Sequence, residues 1–81
     1  MENETVRTIQ GRLEILNKGL VSEENSVQYY DTLIEKTPED SEENIGKRRM
    51  YAELKQEELK HVERFKTLIR QWEAKLSELE G

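Results

Sequence analysis

The chain has 81 residues, 33% of them hydrophobic and 38% charged, with a formal net charge of −5 and no cysteine. This excludes thiolate zinc and iron–sulfur centres, a disulfide framework, and a surface built for nucleic acid or anionic membrane, whose phosphates repel an acidic protein. No apolar run approaches the roughly 20 residues that span a bilayer, and the start MENETVRT is unlike a secretion signal, so a soluble single domain is expected, cytoplasmic or enclosed in a compartment.

The first predicted element is a helix from about residue 4 to 36. Stepping by four and three along it gives Ile9, Leu13, Leu16, Leu20, Glu23, Val27, Tyr30 and Ile34, one continuous helical face interrupted by a single carboxylate. Gly11 and Gly19 lie inside this helix, each less favourable than alanine by about 1 kcal/mol, which points either to close helix contact or to local looseness. Lys36 suits its negative end.

KTPEDSEEN, residues 36–44, contains the sole proline and no apolar side chain, and it reads as the turn, centred on about residues 37–40. Thr37, Asp40 and Ser41 are each candidate N-caps for the next helix, with Asp40 and Glu43 at capping-box spacing and Glu39, Glu42 and Glu43 suited to its positive end. Gly46 marks either a late start or a bend.

A second helix is expected from about 41 to 79. Its apolar row reads Tyr51, Leu54, Glu58, His61, Phe65, Leu68 and Trp72, followed by Leu76 and Leu79. Two polar groups interrupt this row, one turn apart. Lys47, Arg48 and Arg49 read as a solvated face, while Tyr29, Phe65 and Trp72 read as core or dimer-contact aromatics.

The expected architecture is therefore all-α, a two-helix antiparallel hairpin. Its stripes are too wide for one hairpin to bury, so a second copy closing a four-helix bundle about a two-fold axis is the expected assembly. Counting outward from the turn brings Glu23 and Glu58 to about one height. A carboxylate facing an apolar interior needs a charged partner or a metal. Glu58 and His61 form E-x-x-H, which projects both side chains from one face. In di-metal carboxylate bundles two helices give a Glu each and two give Glu-x-x-His. One hairpin supplies half that set and two copies supply all of it, with two divalent cations cancelling four carboxylates.

Glu23, Glu58 and His61 are accordingly the candidate metal ligands, with oxygen-rich chemistry suited to iron or manganese. The competing reading pairs Glu58 with Lys55, Lys60 or Arg64 as a solvated helix-surface acid, and makes His61 structural. Glu24 and Glu57 are expected on flanking, solvated rows, or as secondary cation contacts. Tyr30, two turns beyond Glu23, is either packing or a phenol near the metal layer that donates a hydrogen bond or an electron.

At these residues the chain resembles the ferritin-like superfamily in its rubrerythrin-related branch. EENSVQYYDTL (23–33) is similar to the first-helix motif of that branch, in which a ligand Glu precedes Tyr by seven, and EELKHVERF (57–65) is similar to the second. The resemblance covers about residues 13 to 70 and one hairpin only, as in half-ferritins such as the encapsulated ferritins. It implies a ferroxidase that binds Fe(II) through Glu23, Glu58 and His61 of two subunits, with Tyr30 beside them, and takes manganese or zinc as substitutes. It further implies a ring of dimers and an encapsulin shell as partner. No encapsulin-targeting tail is visible after Leu79, and with no rubredoxin module any peroxide reduction needs an outside electron donor. The alternative is a non-catalytic metal-binding or purely structural dimerisation module.

Overall fold

The computed structural model describes residues 3–81, which form two α-helices, α1 (Val6–Lys36) and α2 (Glu42–Glu80). α1 begins at a reciprocal cap that the sequence reading did not anticipate. The Thr5 hydroxyl accepts from the Thr8 N–H at 3.1 Å, while the Thr5 N–H donates to the Thr8 hydroxyl at 2.8 Å, with threonine standing where a capping box more often has Glu or Gln. Ser41 is the cap of α2: its Oγ accepts from the Asn44 N–H at 3.1 Å, and Glu42 and Glu43 follow in the first turn, where the helix dipole favours negative charge.

Between the helices the chain is pinned rather than loose. Thr37, extended because Pro38 follows it, returns its hydroxyl to the Leu33 carbonyl at 2.7 Å. Arg48 then reaches back from α2, its guanidinium donating to the carbonyls of Ile34 and Thr37 and pairing with Glu39 at 3.3 Å. This corrects the expectation of a solvated face for Arg48: carbonyls left over at the end of a helix attract the nearest fork of donors, and Arg48 is the one within reach.

The helices run antiparallel along their whole length, since partners of rising number in α1 have falling number in α2: Arg12 stacks on Trp72, Tyr30 approaches Tyr51, and Ile34 meets Arg48. The rod measures 59 × 19 × 18 Å, and its length is that of α2, since a 39-residue helix at 1.5 Å per residue spans about 58 Å. At Gly19 the Phe65 ring lies against the α1 backbone. A Cβ added there would stand 2.6 Å from Phe65 Cζ, so of the two α1 glycines Gly19 marks a close approach, while Gly11 and also Gly46 face open space.

All eight residues of the α1 row are buried or half-buried. In α2 the row facing α1 differs from the expected one. It reads Tyr51, Lys55, Glu58, Val62, Phe65, Ile69, Trp72 and Leu76, and it contains Val62, one of two apolar side chains that are buried among the described residues, the other being Ile9. Steps of four and three admit two phases that share every seventh residue, and α2 carries apolar residues on both. Packing against α1 selects one phase, which leaves Leu54, His61 and Leu68 on the adjoining flank and Leu79 exposed. Tyr29 is also exposed, so within one chain it is not a core residue. No helix among the described residues is long and apolar enough to cross a membrane.

Candidate metal centre

Midway along the rod, the two interruptions of the apolar rows meet. Glu23, Glu58 and His61 each present a donor atom within 4.8 Å of the other two. α1 places Glu23 one turn beyond the Gly19 notch, so the close helix approach that seats Phe65 also fixes the height of the acid. α2 places Glu58 and His61 one turn apart, and His61 is the central residue of that helix, 19 residues from either end.

The three side chains are not equally covered. Glu23 and Glu58 are 25% and 22% exposed, whereas His61 is 54% exposed, because it belongs to the phase of α2 that turns away from α1. His61 Nδ1 stands 3.6 Å from Glu23 Oε2 and 3.7 Å from Glu58 Oε2, too far for a hydrogen bond. The basic residues expected as alternative partners of Glu58 are engaged elsewhere or absent from it. Lys55 bridges the helices to Asp31 at 2.6 Å, Lys60 pairs with Glu57 at 3.1 Å, and no ion pair joins Arg64 to Glu58 among the described residues.

Glu58 Oε2 is consequently buried with no hydrogen-bond partner. Two ionised carboxylates side by side offer only acceptors, so they repel unless a proton or a cation stands between them. Glu58 is held above the usual carboxylate range, first by the hydrogen bond that a proton shared with Glu23 would make, then by burial, then by the charge of Glu23, while His61 acts in the opposite direction.

The donor set fits a divalent cation. Metal–ligand bonds of about 2.1 Å place adjacent donors roughly 3 Å apart in an octahedron, so separations of 3.6 and 3.7 Å close with small side-chain rotations. The orphaned Glu58 oxygen supplies the position a cation would satisfy. Two carboxylates and an imidazole suit iron, manganese or zinc.

The other expected participants lie outside this group. Tyr30 packs against Tyr51, with ring centroids 6.4 Å apart, and meets Tyr29 edge-on at 5.6 Å, forming an aromatic layer two turns from Glu23. Glu24 and Glu57 are exposed, on flanking rows as expected. The inter-helix bridge Lys55–Asp31 was not foreseen, because Lys55 sits on the phase of α2 that the apolar count passed over. No protein-family model matches the chain, and comparisons with the curated proteins and with the solved structures found no match.

Proposed function

We propose that this protein binds Fe(II) at Glu23, Glu58 and His61 and oxidises it to Fe(III), as a ferroxidase whose site is completed by two copies of the hairpin. The observation that carries the reading is the Glu58 oxygen, buried without a partner inside a triad of potential ligands. Iron is the substrate. Each Fe(II) surrenders one electron to oxygen or peroxide, and carboxylate donors favour the product because their attraction grows with the charge of the ion.

The roles of the side chains follow from their surroundings. Glu23 and Glu58 supply charge and hard oxygen donors from opposite helices. His61, half-exposed, supplies a nitrogen donor at the rim, where a second copy would cover it. In such a pair four carboxylates meet two divalent ions and the local charge sums to zero. The resemblance of the two helix motifs to half-ferritins supports a homodimer, a ring of dimers and an encapsulin shell as partner, and co-purification of a shell protein with the native chain tests the last of these.

The experiment is a titration of metal-free protein with Fe(II) under nitrogen, followed by admission of oxygen. One ion per chain is expected, with an increase in stability of about 2.7 kcal/mol when free metal is a hundredfold above Kd, because only the assembled site binds. Oxygen is then consumed in the parent but not in His61→Ala or Glu23→Ala. A melting curve indifferent to saturating metal would sink the reading. Binding without oxygen uptake would instead support the second reading, a non-catalytic metal-binding module, which the half-exposure of His61 favours.

A further inference from the structure

One cation adjoins the metal centre without entering it. Along a helix, the positions that meet a given side chain are those three and four residues away. For Glu58 these are Leu54, Lys55, His61 and Val62, and for Glu23 they are Gly19, Leu20, Ser26 and Val27. Lys55 is therefore the only permanent cation beside either acid on its own helix. It lies with Glu58 on the row of α2 that faces α1, and the two side chains are 29% and 22% exposed. Pairs at this spacing form elsewhere on the same helix, Lys60 with Glu57 at 3.1 Å and Lys75 with Glu78 at 3.6 Å, the latter in the same order as Lys55 and Glu58.

Lys55 nevertheless turns elsewhere. Its Nζ stands 2.6 Å from Asp31 Oδ1, across the hairpin, and Glu58 Oε2 is left buried without a partner. Glu58 is also held above the usual carboxylate range, the reverse of what an adjoining ammonium would do. Asp31 lies eight residues from Glu23 toward the turn, about 12 Å along α1, so its pull on the ammonium is directed away from the polar layer. The helical neighbours of Asp31 itself are Val27, Gln28, Ile34 and Glu35, none of them a cation, so its partner comes from α2.

We propose that Asp31 is a positioning residue for the metal centre: by holding Lys55 across the hairpin it keeps an internal cation off Glu58 and leaves that oxygen open to a metal ion. An ammonium against Glu58 would satisfy the orphaned oxygen and neutralise the charge that attracts the ion, so a divalent cation would first have to displace it. Asp31 touches none of the three ligands. Its part is to remove a competitor. The inference rests on the proposed function for the identity of the ion, whereas the choice Lys55 makes between two acids is a property of the metal-free chain.

That choice is read first without metal. In chelator, Glu58→Gln is expected to raise the melting temperature of the parent and to lower that of Asp31→Asn, in which the released Lys55 has moved onto Glu58. Asp31→Glu, which keeps a carboxylate at this half-exposed position, should behave as the parent does. Titration with Fe(II) under nitrogen then reads the consequence. Asp31→Asn is expected to bind about fivefold more weakly than the parent, equivalent to about 1 kcal/mol. Lys55→Gln should recover this loss in the Asp31→Asn background and leave the affinity of the parent nearly unchanged. Such non-additivity separates competition from the general influence of charge on a cation, which would be the same in both backgrounds. A Glu58→Gln shift of one sign in both backgrounds, or equal effects of Lys55→Gln on Fe(II) affinity in both, overturns the role of Asp31. A parent that binds no Fe(II) defeats the ferroxidase instead, and the sign of the metal-free shift still decides where Lys55 goes.

Discussion

Of the charged side chains of α2 that turn toward α1, Arg48 near the turn and Glu58 at mid-length are treated in opposite ways. The Arg48 guanidinium meets two helix-end carbonyls and the Glu39 carboxylate, so each side of the fork has an acceptor. Glu58 meets a second acid and a histidine beyond hydrogen-bond reach, and one of its oxygens is left buried and alone. Lys55, between them in sequence, resembles Arg48, since its bridge to Asp31 is complete within the hairpin. The difference teaches how to sort buried charge: a satisfied group belongs to the architecture of the chain, while an unsatisfied one points to something the chain alone does not supply.

Breaking the satisfied end should have the larger effect. Arg48→Ala is expected to destabilise the metal-free hairpin by about 2 kcal/mol, since hydrogen bonds from a charged donor are lost and the Ile34 and Thr37 carbonyls are left without it. Arg48→Lys, which cannot reproduce a planar fork, should restore only part of this. Thermal melting in chelator measures both, and equal stability of Arg48→Ala and parent would mean that the clamp is ornamental.

At the unsatisfied site the sign should reverse. Glu58→Gln is expected to stabilise the metal-free protein at neutral pH by about 1 kcal/mol, because an amide can donate to the Glu23 carboxylate that now faces another acceptor. The same variant should lose the metal-dependent gain. A fall in metal-free stability on this substitution would show that Glu58 already has a partner.

The two glycines that are close to, and remote from, the facing helix sharpen the contrast in packing terms. Gly46→Ala meets nothing within 4 Å and should gain up to about 1 kcal/mol of helix propensity. Gly19→Ala forces the Phe65 ring out of its notch and should fail to gain, lowering the melting temperature instead. Urea midpoints of the two variants against the parent decide between these outcomes.

The smallest effect is in pH. Because the folded state holds Glu58 above its ordinary value of 4.5, its contribution favours the metal-free fold at low pH and is lost as pH rises through that raised value. Glu4 acts with the opposite sign and in a lower window. Hydrogen bonding from Arg12, the largest influence on it, holds Glu4 below 4.5, so its contribution is present above that value and disappears only as pH falls further. Metal-free stability should therefore rise on acidification from neutrality toward 4.5, then fall. In Glu58→Gln the rise should vanish and the fall remain.

Much of this molecule was legible before folding. A proline-containing polar turn between two long periodic segments dictates a hairpin, because no other element in the chain can cover either stripe, and helix 1 shows its inner row without ambiguity. The meeting of Glu23 with Glu58 and His61 follows from counting equal lengths back from one turn. A helix start near residue 41 is also legible, but Thr37, Asp40 and Ser41 were equal candidates for its cap, and the structure puts Ser41 there rather than the Asp40 of the Asp40–Glu43 spacing. The Thr5–Thr8 cap was obscured because threonine is an unusual reciprocal partner.

What the tertiary structure alone decided lies in α2 and at the turn. The apolar pattern of α2 admits two inner rows, through Leu54, His61 and Leu68 or through Lys55, Val62 and Ile69, and its periodicity cannot choose between them, since the helix repeat of 3.6 residues falls between the available steps. Contact with α1 chose the second row, burying Val62 and turning His61 to the flank. Arg48, one of three adjacent basic residues, became a clamp only because the end of α1 lies beside it. Composition and spacing determine which residues share a face of a helix. Which part of that face is covered depends on the rotation of one helix against another, and that is settled by the sum of contacts along 59 Å of packing rather than by any local run of sequence.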